Sequence, residues 1–269
     1  TLKDKGLDFT CIVRNLNEAR DKIGDVSLVQ GDLSEPNSLD RALEGIDTLY
    51  LLCGHSPVLQ ELEVNGLEAA KRAGVKYIVE SSGSERGIRE DSPSDIMKMH
   101  HHVEKAVRES GLKWAISRPN FFTSNLMAMA EPVAKMGKLI TTLPPETTIS
   151  MIHPDDIGES VAELLTNEDR GGREYYLTGP AVTMGQVALT ISEVIGKEVD
   201  YVQVTPEDAR SSMKEKGMPE WLMNHMGAMM GLAAKGEMGH ESGWVQELTG
   251  HAPRTLKDWV TGAKDAFMG

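Results

Sequence analysis

Five short apolar runs punctuate the first 122 residues: "DFTCIVRN", "VSLVQGDL", "IDTLYLLCG", "VKYIVESSG" and "KWAISRPNFF". Amphipathic stretches closing on Gly24, Gly45, Gly74 and Gly111 follow the first four. Runs of this length read as strands, and the stretches between them read as helices ended by glycine. Repeated β-α-β units specify a parallel sheet covered by helices on both faces, because crossovers are right-handed. The expected fold class is therefore α/β, a doubly wound parallel sheet. Ligands of such sheets sit at the carboxyl ends of the strands. In this chain those ends carry Arg14-Asn15, Gly31-Asp32, Gly54-His55, Ser81-Ser82-Gly83 and Arg118-Pro119-Asn120.

After residue 125 the rhythm loosens. "TTISMIHPDDIGESVAELLTN" reads as a strand, a Pro-Asp-Asp helix start and a helix, with Asp155 or Asp156 as the cap. "REYYLTGP" is a further strand. The expected division is a dinucleotide-binding domain over 1–125, with 148–178 returning to the sheet. A smaller, mostly helical substrate or lid lobe is expected over 126–147 and 179–269. Met213, Met218, Met223, Met226, Met229, Met230 and Met238 crowd residues 213–238. They read equally well as adaptable core and as a mobile apolar lid.

At 269 residues and 40% apolar content, the chain can bury a sizeable core. Its formal charge of −13 argues against nucleic acid as a partner. No run approaches the ~20 apolar residues of a membrane span. Cys11 and Cys53 lie in apolar stretches and form no disulfide framework, so a reduced, cytoplasmic protein is expected. The opening "TLKDKG" reads as a last helical turn ended by Gly6. A dinucleotide fold carries a glycine-rich turn after its first strand. None is present here, so residues 8–15 are expected to be the second strand, with the first strand and its turn upstream of Thr1.

The strand over 8–15 ends in Arg14 and Asn15 rather than Asp or Glu. A guanidinium pairs with a ribose 2′-phosphate that a carboxylate would repel, which favours NADP(H) over NAD(H). Conventional short-chain dehydrogenases use Tyr-x-x-x-Lys as proton shuttle. None of Tyr50, Tyr77, Tyr175, Tyr176 and Tyr201 has Lys four residues on. His100, His101 and His102 are consecutive in a helical segment. Their side chains diverge by ~100° per residue and do not converge on one ion, so no metal is expected. His100 lies beside the apolar stripe of Ile96, Met99, Val103 and Val107.

The ordered set "CIVRN", "VQGDLSEPNSLDRALEGIDTLYLL", "AGVKYIVESSG", "HVEKAVRESGLKWAISRPNFFTSNL", "MIHPDDIGESVAELL", "REYYLTGP" and "TGHAPRTLKDWV" resembles the NmrA-like family, from Phe9 to Phe267. These are atypical short-chain dehydrogenase/reductases with a Rossmann fold. The family includes NADPH-dependent quinone oxidoreductases, azoreductases and NADP-binding redox regulators. The resemblance implies that Arg14 meets the 2′-phosphate and that Asp32 and Leu33 form the adenine-side loop. It implies that Cys53, Gly54 and His55 border the middle of the cofactor. Ser81 and Ser82 match the strand end beside the nicotinamide, and Pro119, Asn120 and Phe121 match the loop on its other side. His100 aligns with a Lys or His of the family, which makes it the candidate proton donor. The expected activity is reduction of a quinone, azo or carbonyl compound by direct hydride transfer, in a monomer or homodimer. The alternative is a non-catalytic NADP(H) sensor acting through a protein partner.

Overall fold

A computed structural model describes residues 1–269, and the chain divides into two compact units interleaved in sequence. The first comprises Thr1–Ser82, Met99–Ser117 and Val161–Glu174. The second comprises Gly83–Lys98, Arg118–Ser160 and Tyr175–Gly269. The second unit takes in the loop after the serine strand and holds the larger share of the chain.

In the first unit β1 (Thr10–Val13), α1 (Leu16–Ile23), β2 (Ser27–Gln30), α2 (Pro36–Ala42), β3 (Thr48–Leu51), α3 (Leu59–Ala73), β4 (Tyr77–Ser81), α4 (Asp95–Glu109) and β5 (Lys113–Pro119) alternate as the apolar runs require. α4 begins and β5 ends in the second unit. β1 pairs in parallel with β2, Thr10 opposite Ser27. β3 and β4 pair in parallel, Thr48 opposite Tyr77, and β4 continues onto β5 with Tyr77 opposite Lys113. These parallel pairings are those of the expected α/β fold and run in two ladders. β1 is hydrogen-bonded by β2 alone, and β3 by β4 alone.

β4 is buried at all five residues, as a strand covered on both faces should be. α2 and α3 close over Leu39, Leu43, Ala69, Ala70 and Val75, and each fully buried Leu contributes about 2 kcal/mol. α3 comes close to the strands because of Gly66. A Cβ there would lie 2.7 Å from Leu51 Cδ1 and 2.9 Å from Leu33 Cδ2. Gly74, at φ 78°, ends the helix by returning its N–H to the carbonyls of Ala70 and Lys71.

The second unit contains α5 (Ala130–Met136), β6 (Lys138–Thr141), β7 (Thr148–Ser150), α6 (Pro154–Thr166), β8 (Arg173–Leu177), β9 (Ala181–Thr183), α7 (Met184–Ile195), β10 (Asp200–Gln203), α8 (Pro206–Glu215), α9 (Glu220–Ala234), α10 (Trp244–Thr249), α11 (Leu256–Gly262) and α12 (Lys264–Met268). The last turns of α6 and the first residues of β8 lie in the first unit. β8 follows β5 in the sheet order. Besides its helices the region holds two strand pairs: β6 parallel with β10, and β7 antiparallel with β9. Its core gathers Leu126, Leu139, Leu143, Ile149, Val187, Ile191, Val260 and Phe267. Met223 and Met238 are core residues, whereas Met226, Met229 and Met230 are half-buried on α9. No helix is long and apolar enough to cross a membrane.

Candidate active site

The strand ends of the first unit gather most of the residues singled out by sequence. At the end of β1 the Arg14 side chain is exposed, while its carbonyl accepts from Gln30 Nε2 at 3.2 Å. Asn15 caps α1, its side-chain oxygen accepting from the N–H groups of Asn17 and Glu18. After β2, Asp32 closes a tight turn by accepting from the Ser34 amide at 2.9 Å and the Ser34 hydroxyl at 2.8 Å. Those bonds lower its pKa, with a smaller contribution from the charge of Arg14. The Leu33 carbonyl accepts from Asn65 Nδ2 at 2.9 Å. The Arg14 charge is also felt at Cys53, whose thiol burial pushes up. The Arg14 charge thus reaches the ends of β2 and β3 as well as its own strand.

Beyond β3, the Cys53 amide donates to Glu63 Oε1 at 2.9 Å, and its thiol lies 3.2 Å from the Gly54 carbonyl. Gly54 is open, with nothing within 4 Å of where a Cβ would stand. Ser81 and Ser82 are buried at the end of β4. The Ser82 amide donates to the Ser117 carbonyl at 2.8 Å, and the Ser82 hydroxyl is buried without a partner. That orphaned hydroxyl is available to a ligand group.

His100 turns inward and is 2% exposed. His101 and His102 lie on the outer side of α4, their rings 5.7 Å apart. Only one of the three enters the interior, as their angular spacing requires. There His100 Nδ1 stands 3.7 Å from Glu80 Oε1, and its ring meets His55 edge-on at 6.1 Å. Glu63 of α3 completes the group: one donor atom each from Glu63, Glu80 and His100 all fall within 4.8 Å of one another. Such a set can ligate a small divalent ion or share a proton. Burial, and then the charge of Glu80, push the Glu63 pKa up to about 8. Burial lowers the His100 pKa, opposed by Glu63 and Glu104. His55 is exposed on the loop after β3; partial desolvation of its ring, and then the charge of His100, lower its pKa to about 4.

Glu63 and Glu80 were not anticipated from sequence, although each carries a signal. Glu63 sits four residues from both Leu59 and Leu67, on the buried stripe of α3. Glu80 is a carboxylate within an apolar strand.

Pro119, Asn120 and Phe121 belong to the second unit. Asn120 is committed to the scaffold. Its Oδ1 accepts from the Ser84 hydroxyl at 2.8 Å, and its Nδ2 donates to the Ser150 carbonyl at 2.8 Å and the Met238 carbonyl at 3.0 Å. The Phe121 carbonyl accepts from the Ile152 amide at 2.8 Å. The His153-Pro-Asp-Asp motif is structural, but not as expected. The cap of α6 is His153, whose Nδ1 accepts from the Asp155 amide at 3.1 Å. Asp156 is instead fully buried, accepting from the Arg254 amide at 2.7 Å and from the Arg254 guanidinium.

Comparison with known proteins places this geometry in context. The chain is 32% identical to the NAD(P)H azoreductase of Xenophilus azovorans, over 99% of this chain and 93% of that protein. It is 27% identical to quinone oxidoreductase 2 of Escherichia coli K12, over 94% and 88%. The crystal structure of that NADPH-dependent quinone oxidoreductase, complexed with NADPH, superposes with a TM-score of 0.84 at 26% identity, over 94% of this chain and 89% of that one. The Citrobacter sp. triphenylmethane reductase complexed with NADP(H) shares the fold, with a TM-score of 0.82 at 24% identity over 95% and 90%. The model of the NmrA-like family matches residues 1–260. This chain belongs to the NmrA-like family.

Proposed function

We propose that the chain is an NADPH-dependent oxidoreductase that reduces a small apolar electrophile, a quinone, azo or carbonyl compound, by direct hydride transfer. The observation that carries the reading is Arg14, an exposed guanidinium at the end of β1 where an NAD-preferring site would hold a carboxylate. Arg14 pairs with the 2′-phosphate, and the turn at Asp32 and Leu33 flanks the adenine. Cys53, Gly54 and His55 border the middle of the cofactor, and the Ser82 hydroxyl meets its nicotinamide side. NADPH supplies the hydride when bound; a flavin is not required. His100 supplies the proton, a role left open by the absence of Tyr-x-x-x-Lys. A cytosolic setting suits both the cofactor and the two free thiols, Cys11 and Cys53.

The test is NADPH oxidation, followed in absorbance, against a panel of azo dyes and quinones. Turnover with NADPH exceeding that with NADH is expected. No oxidation of NADPH with any of them overturns the reading. It would leave the second one, an NADP(H) sensor, which the missing Tyr-x-x-x-Lys favours. A sensor binds NADP and NADPH with different affinity and changes its hold on a protein partner accordingly.

A further inference from the structure

Reduction by hydride consumes one proton for each hydride delivered, and the first unit buries a group of residues able to hold one. Glu63 and Glu80 are fully buried and His100 nearly so. Two carboxylates this close in a water-excluded pocket cannot both stay ionised, because each charge repels the other and burial disfavours both. The scaffold does not close the group into a finished network. Glu63 Oε1 takes the Cys53 amide, but Oε2 is buried without a hydrogen bond, and so is His100 Nδ1. The 3.7 Å between His100 Nδ1 and Glu80 Oε1 is too long for one. The other titratable groups bearing on the cluster are Tyr50, Cys53 and His55 from β3 and the loop after it, and Glu104 from α4. Glu104 is offset by Arg108 at 3.0 Å.

We propose that Glu63, Glu80 and His100 jointly hold one exchangeable proton, and that His100 delivers it past His55 to the substrate. This rests on the oxidoreductase reading above. The hydride's electron pair forms the new bond at the electrophilic atom as the acceptor's π bond breaks. The cluster's proton neutralises the anion so formed. NADPH is oxidised to NADP, the substrate is reduced, and the cluster regains its proton from water. Glu63 and Glu80 act through His100 and are positioning residues.

The test is Glu63→Gln in the full chain, with Glu80→Gln as the second variant and circular dichroism to verify folding. Infrared spectra at neutral pH should show a protonated carboxylic acid in the native chain that is lost in Glu63→Gln. kcat should fall roughly tenfold, with NADPH affinity unchanged. The alkaline limb of the kcat profile should move to lower pH. Absence of a protonated carboxylic acid in the native chain overturns the proposal. So does a kcat profile unaltered in both variants, or a stoichiometric divalent ion in the purified protein that Glu63→Gln abolishes. If no substrate is turned over, the oxidoreductase reading fails, while the infrared result still decides whether the cluster holds the proton.

Discussion

Asn120 in the second unit is almost fully buried and uses both ends of its amide, tying Ser84, Ser150 and Met238 together. Glu63 in the first unit is equally buried, yet one of its oxygens has no partner. Asp156 and Arg254 repeat the first pattern, and His100 repeats the second. A buried polar group with every bond made rigidifies a fold; one left short costs stability and is kept where it does chemistry. In these cases the second unit commits its buried polar groups to architecture and the first holds some in reserve, although the Ser160 and Tyr176 hydroxyls of the second are also buried without a hydrogen bond.

The largest expected effect breaks the architectural side. Asp156→Ala removes the acceptor of the Arg254 amide and one of the two carboxylates on its guanidinium, which keeps Glu159, and should cost about 3 kcal/mol in denaturant unfolding. A loss below about 1 kcal/mol would show that this pair is not structural.

Next comes pH. Folding raises the Glu63 pKa from 4.5 to about 8, so between these values the folded chain binds a proton that the unfolded chain has released. Stability from this group is intact below pH 4.5, declines as pH rises, and levels off above about 8. His55, lowered from 6.5 to about 4, acts in the opposite sense below pH 6.5. From pH 6.5 to 8 the decline should amount to about 2 kcal/mol, and His251, whose pKa is raised, adds a loss in the same sense. Thermal melts across that window should fall for the native chain and fall less for Glu63→Gln.

Arg14→Ala comes third. It should reduce the preference for NADPH over NADH about tenfold. Unfolding free energy should change by less than about 0.5 kcal/mol, since the side chain is exposed. An unchanged cofactor ratio would remove Arg14 from the site. The smallest effect is expected on the outer side of α4: replacing His101 and His102 by Ala should leave turnover unchanged and stability within about 0.5 kcal/mol.

The parallel β-α-β alternation was legible because apolar runs of strand length and closing glycines are local signals. Gly24, Gly45, Gly74 and Gly111 all take positive φ where the helices were read to stop. The register of each ladder was not legible, because ladder partners are set by pairing across the fold. β6 and β9 were missed because strands of four and three residues carry too little periodicity. In the site, the inward turn of His100 followed from helix phase. Glu63 and Glu80 escaped because a carboxylate on an apolar face is ordinarily read as a break in the pattern. Their meaning appears only when α3, β4 and α4 bring three such exceptions to one place. Asn120 showed the converse: its strand-end position was legible, but its amide's long-range partners at Ser150 and Met238 were not.

α9 has a consequence for how the protein ages. Met226, Met229 and Met230 hold thioethers at the border between core and solvent, and the buried His225 on the same helix lies 2.8 Å from the Ser94 hydroxyl. Oxidation converts such a side chain into a polar, chiral sulfoxide that no longer suits an apolar seat. Oxidation of Met229 or Met230, which pack against the core, would therefore loosen α9, and methionine sulfoxide reductases would be the means of restoring it.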